Sequence, residues 1–261
     1  MRKTQLIISL AFICFITSCS NGKLEEKGFQ VRNISGNSDM EQQDGLNNDS
    51  LKFETRPSNV LLTGVPNVRL TTIYKVNVNK KNNNTFIGSN SFHYRYEENK
   101  NYIGNNWNNN LMPGIEAVYG YNMVNVSHYD INENKSILFF EKPVLIKTIY
   151  YPTFSKDTLN NKSVTRNYFI VSVYNDDTNK DGFINLKDLR RLYLFNINGL
   201  KQKELVPENY SVIKSEYDPE NDYMFVFSQL DNNKNGQQDV GEPIHIFWID
   251  LKDPNKTGRL Y

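Results

Sequence analysis

The sequence predicts an all-β chain, a propeller-like array of about four small antiparallel blades, with a β-sandwich or open β array as the alternative. Three observations lead there. First, runs such as Phe169-Ile170-Val171-Ser172-Val173-Tyr174, Tyr223-Met224-Phe225-Val226-Phe227 and Ile244-His245-Ile246-Phe247-Trp248-Ile249 are short and rich in β-branched and aromatic residues, as strands are. Second, the chain repeats itself. Asp231 follows Asp177 by 54 residues, and at that offset Tyr193 meets Phe247, Phe195 meets Ile249, Asn196 meets Asp250 and Ile197 meets Leu251. Third, Ile146 to Pro152 matches Ile213 to Pro219 at an offset of 67. A period near 50 built of several short strands points to blades, because one small twisted sheet cannot bury both faces alone.

Taken in chain order, Met1-Arg2-Lys3 is a short basic start and Leu6 to Ile16 is apolar. That stretch is too short for a stable membrane span and reads as a secretory signal over residues 1–18. It closes on Ile16-Thr17-Ser18-Cys19. These residues resemble a bacterial lipobox. The resemblance implies cleavage before Cys19, thioether lipidation of its sulfur, and acylation of the new amine. Several acyl chains together anchor a protein firmly. Of the two cysteines, Cys14 leaves with the signal and Cys19 carries lipid, so no disulfide is expected. Residues 19–58 are polar and read as a flexible tether. The folded domain is expected over 59–261.

Two loops in that domain carry the clearest chemistry. One runs Asp177 to Asp188, the other Asp231 to Glu242. Calcium takes about six to eight oxygen ligands, and a short loop supplies them from alternate residues, with glycine at the sixth position for the sharp turn. The expected ligands of the first loop are Asp177, Asn179, Asp181, the Phe183 carbonyl, Asn185 and Asp188. Those of the second are Asp231, Asn233, Asn235, the Gln237 carbonyl, Asp239 and Glu242. Asn, Asp and Gly also make ordinary polar turns. Two loops with matching offsets favour calcium as the bound cofactor. The loops lie in different repeats and are expected to act nearly independently.

The first loop resembles dockerin and EF-hand calcium loops. The second also resembles the shorter loops of integrin-type propeller repeats. Strand-like flanks depart from the helix-loop-helix of an EF-hand, although the Leu189 to Phe195 exit is compatible with a helical turn. The strands around Asp218-Pro219-Glu220-Asn221 and Ile246 to Leu251 resemble the repeat of TolB-type propellers, which implies blades of about this size.

Elsewhere the chain carries fewer signals. A formal charge of +1, with no run of Lys or Arg, argues against nucleic acid as a partner. There is no nucleophile elbow, zinc-protease motif or phosphate loop. His93, His128 and His245 are widely separated and read as structural. Gly104 to Asn110 sets Trp107 among amides, a turn-rich loop in preference to a sugar-stacking platform. The expectation is therefore an exported, lipid-anchored, calcium-binding protein of the cell envelope, at the outer membrane. It is not expected to be an enzyme. It binds the membrane through Cys19 and binds or scaffolds an envelope protein or glycan; the alternative is an exported hydrolase of glycans or peptides.

Overall fold

A computed structural model describes residues 28–31, 53–78, 84–87 and 112–261. The signal segment, Cys19, His93, Gly104 to Asn110 and most of the expected tether lie outside the described residues.

The chain is all-β, with no helix among the described residues. In order the strands are β1 (Phe29–Gln30), β2 (Thr55–Leu62), β3 (Val68–Val78), β4 (Thr85–Ile87), β5 (Ile115–Asp130), β6 (Lys135–Leu138), β7 (Leu145–Pro152), β8 (Asp157–Leu159) and β9 (Lys162–Val164). They continue with β10 (Tyr168–Tyr174), β11 (Phe183–Ile184), β12 (Arg191–Asn196), β13 (Lys201–Glu204), β14 (Tyr210–Asp218), β15 (Tyr223–Leu230), β16 (Ile244–Asp250) and β17 (Thr257–Arg259).

The pairings make three antiparallel meanders: β2-β3-β5-β6, β7-β10-β12-β13 and β14-β15-β16-β17. The 54-residue repeat is the relation between the second and third. Tyr168 pairs with Asn196, and Tyr223 pairs with Asp250. His128 to Asn132 runs into the turn of the β5–β6 hairpin of the first meander. Each of these hairpins turns on an Asx residue at the same place. Asp130 accepts the N–H of Asn132, Asn196 that of Asn198, and Asp250 that of Lys252. Short polar side chains bonding their own turn are what make such positions recur.

Among the described residues the meanders do not close into a ring and number three rather than four. The long β5 is the reason. Its first half pairs with β7 and its second half with β3 and β6. Register breaks on both sides, between Tyr119 and Met123 and between Ile73 and Tyr74, let it bend. The first two meanders thereby merge into one nine-stranded sheet, while the third stands as its own four-stranded sheet. This is the open array that the sequence left as the alternative.

Alternation along β12 explains the stacking. Tyr193 and Phe195 face the first meander, where Phe195 stacks on Phe139 with ring centroids 4.7 Å apart. Leu192 and Leu194 face the third, beside Met224, Val226, Phe247 and Ile249. A strand buried on both faces must be apolar in its middle, and β12 is, from Leu192 to Phe195. His128 lies in the first interface and bonds the Ile197 carbonyl through Nε2 at 2.9 Å. His245 Nδ1 meets Tyr210 Oη at 2.7 Å. Both are satisfied structural histidines. The polar insertion between β7 and β10 folds as the β8–β9 hairpin, with Asn160 and Asn161 both at positive φ, as a type I′ turn requires.

One polar group pins the stack. Arg166 is buried and grips buried Asp222 with two bonds of 3.0 and 2.8 Å. It also donates to the Pro113 and Leu251 carbonyls. Pro113 leads into β5, and Leu251 starts the last turn. The guanidinium therefore ties the second meander to the third and to the start of β5.

Candidate functional site

Both candidate loops join the middle strands of a meander. Loop 1 leaves β10 and reaches β12; loop 2 leaves β15 and reaches β16. Arg191 to Asn196 is strand, so neither exit is helical.

The two loops fold alike, residue by residue. At position one, Asp177 accepts the N–H of Asp181 at 3.0 Å and that of Gly182 at 2.9 Å. Asp231 accepts from Asn235 at 3.1 Å and from Gly236 at 3.0 Å. At position three, Asn179 and Asn233 accept the N–H two residues on, each at 3.0 Å. At position five, Asp181 accepts from Phe183 at 2.9 Å and Asn235 from Gln237 at 3.1 Å. Lys180 and Lys234 share a φ near +60°, and Gly182 and Gly236 are also left-handed. At position twelve, Asp188 accepts from Thr178 at 2.8 Å and Asn179 at 3.3 Å. Glu242 accepts from Asn232 at 2.9 Å and Asn233 at 3.2 Å. These bonds curl each chain so that the side chains of positions one, three, five, nine and twelve gather on its inner side.

The loops differ in how their acidic groups are matched. In loop 1, Asn185 donates its amide to Asp181 Oδ2 at 3.2 Å. In loop 2, the amides of Asn233 and Asn235 both donate to Asp239 Oδ2 and hold that carboxyl below its ordinary range. Burial pushes the Asp188 carboxyl upward, against the pull of three backbone N–H donors from Asn185, Asn179 and Thr178. Glu242 keeps one oxygen, Oε2, buried and without a hydrogen-bond partner. An anionic oxygen shut away from water is costly unless a cation reaches it.

The oxygen sets are mixed. Among the described residues no three His, Cys, Asp or Glu side chains converge closely enough to hold a metal ion by themselves. Each loop instead alternates carboxylates with Asn amides. A set of carboxylate, amide and backbone oxygens, with no sulfur or imidazole, suits a hard cation.

Two contacts were not legible in the sequence. The loops touch. Thr178 Oγ1 donates to the Gly236 carbonyl at 2.5 Å, and Asp188 forms a β-bridge with Gln237. A Cβ on Gly236 would lie 1.9 Å from the Thr178 carbonyl oxygen, so glycine is needed there for the neighbour as well as for its own turn. The loops expected to act nearly independently are therefore in contact: a 54-residue separation in sequence became contact once the meanders stacked.

The second contact falls inside the expected tether. Gly28 to Val31 runs along loop 1, with β1 pairing β11: Gln30 opposite Phe183 and Phe29 opposite Ile184. Those residues are not a free tether, and β2 begins at Thr55, ahead of the expected boundary at 59. The signal was a short β-type alternation, Phe29 and Val31 behind Gly28, in polar surroundings.

Two pockets lie among the described residues. In the larger, about 420 Å³ and lined by Lys162, Arg166, Glu220, Asp222 and Lys252, Asp222 is held by Arg166. In the smaller, lined by His128, Asp130, Glu133 and Lys135, Asp130 caps its own turn and accepts from Asn67. No family model matches the chain, and no curated protein matches it.

Proposed function

We propose that this is an exported, lipid-anchored calcium-binding protein of the cell envelope. Its β array binds or scaffolds another envelope component, protein or glycan, and calcium fixes the paired loops at one rim. The observation that supports this best is the matching hydrogen-bond pattern of two loops 54 residues apart, one of which buries a carboxylate oxygen with no donor. Ordinary polar turns have no reason to agree at six positions. Asp177, Asn179, Asp181, Phe183, Asn185 and Asp188 would hold one ion, and Asp231, Asn233, Asn235, Gln237, Asp239 and Glu242 the other. Calcium would supply charge balance and rigidity. In its absence the carboxylates of each loop repel at short range. Calorimetric titration of the full chain should find two calcium sites; no heat and no bound calcium would reduce the loops to turns.

The anchor is tested separately. The Ile16 to Cys19 motif motivates it. Replacing Cys19 by Ala should leave unprocessed precursor or release the protein from the membrane, and it should abolish labelling by a fatty-acid analogue. Equal labelling of the variant would remove the anchor from this reading.

A further inference from the structure

We infer that Gly28–Val31 is a positioning element of the loop 1 site, so that its docking and calcium binding there reinforce each other. This rests on the calcium reading proposed above.

The ladder geometry comes first. Val31 N–H donates to the Gly182 carbonyl at 2.9 Å. In an antiparallel ladder, close hydrogen-bonded pairs alternate with open ones. Phe29 opposite Ile184 is the next close pair, so Phe183, opposite Gln30, is an open one. Its backbone groups therefore turn away from β1 and into the loop. Phe183 N–H does so, donating to Asp181 Oδ1 at 2.9 Å. The Phe183 carbonyl, the one backbone ligand expected in loop 1, points the same way. β1 thus grips the chain on either side of the ligand residue.

Loop 2 repeats the arrangement with a different brace. Its equivalent residue is Gln237, which bridges to Asp188 of loop 1. In both loops an outside segment lies paired opposite the seventh position. For loop 2 the brace is loop 1; for loop 1 it is β1.

The brace is built in rather than laid on. Gly28 has a φ of +51°, and a Cβ there would lie 1.6 Å from the Ile184 carbonyl oxygen. Phe29 is buried beside Ile73, Val124, Leu145, Tyr174 and Ile184, and its ring lies 5.2 Å from that of Phe53. Lys75 on β3 donates to the Gly28 carbonyl at 3.2 Å. The segment therefore buckles loop 1 to the first meander. Binding free energies are reciprocal: if docking places a ligand for calcium, calcium strengthens docking by the same factor. In a chain anchored through Cys19, this sets how short the link between lipid and domain becomes.

The test uses the full chain. In an Asp231→Ala background, where loop 1 is the remaining site, Gly28→Val and Phe29→Ala should each weaken calcium about tenfold. Phe29→Leu should restore most of the loss. Hydrogen exchange of the Phe29 to Val31 amides should be slower in calcium than in chelator, and fast in both for Gly28→Val. Unchanged affinity in variants whose exchange shows the segment undocked would overturn this inference alone. So would equal exchange in calcium and chelator while calcium is bound. A parent chain that binds no calcium would overturn the calcium reading and this one with it.

Discussion

Replacing Arg166 by Met should cost the fold about 3–5 kcal/mol, because it leaves the Asp222 carboxylate buried and uncompensated. Both side chains are nearly inaccessible, at 2% and 3%. The Pro113 carbonyl would lose both its guanidinium donors, whereas the Leu251 carbonyl keeps Tyr168 Oη at 2.7 Å. Burial of a charge without its partner dominates such a sum, and methionine fills the vacated volume. Urea denaturation is the measurement, with stability read from the midpoint at unchanged slope. Replacing both partners, Arg166→Met with Asp222→Leu, should lose less than Arg166→Met alone, since the stranded charge is gone. A single variant within about 1 kcal/mol of the parent, an ordinary surface-like effect, would mean the ion pair does not hold the stack.

Calcium should raise the melting temperature of the full chain by about 5–10 °C for each site saturated a hundredfold over Kd. A ligand that binds only the folded form stabilises by about 2.7 kcal/mol at that excess. For a domain of this size, each kcal/mol shifts melting by about 2–4 °C. Asp177→Ala and Asp231→Ala each remove the first ligand of a loop and should each remove most of one increment. Each also strips a glycine N–H, that of Gly182 or Gly236, of its acceptor, so the quantity to compare is calcium against chelator in the same variant. The loops share the Thr178–Gly236 bond and the Asp188–Gln237 bridge. Contacting groups do not add. The double variant should therefore lose a different increment from the sum of the singles, and Thr178→Val should bring the sum closer to additive. Scanning calorimetry decides it. Equal melting with calcium and with chelator would leave the loops without a cation; strict additivity would leave them without communication.

Much of the strand content and both loops were legible because their causes are local. Phe169 to Tyr174 and Ile244 to Ile249 carry their strand character in their own side chains. Asp130, Asn196 and Asp250 make their turns with their own oxygens. A calcium-type loop is likewise written within twelve consecutive residues, so its offsets appear in the sequence and its backbone path follows from them.

Tertiary structure alone decided the rest. Whether blades stay separate depends on β5, whose halves pair with different meanders through register breaks that composition does not announce. Among the described residues that merging gave an open array of three meanders where the period suggested about four. The contact of the two loops, the burial of Arg166 against Asp222 and the docking of Phe29 on Ile184 are all pairings across long sequence separations. Each forms because stacking two sheets buries apolar faces and brings whatever lies at their rims into register. A polar segment around Gly28 looks free when read alone, since the surface it covers exists only after β3, β5, β7 and loop 1 have assembled.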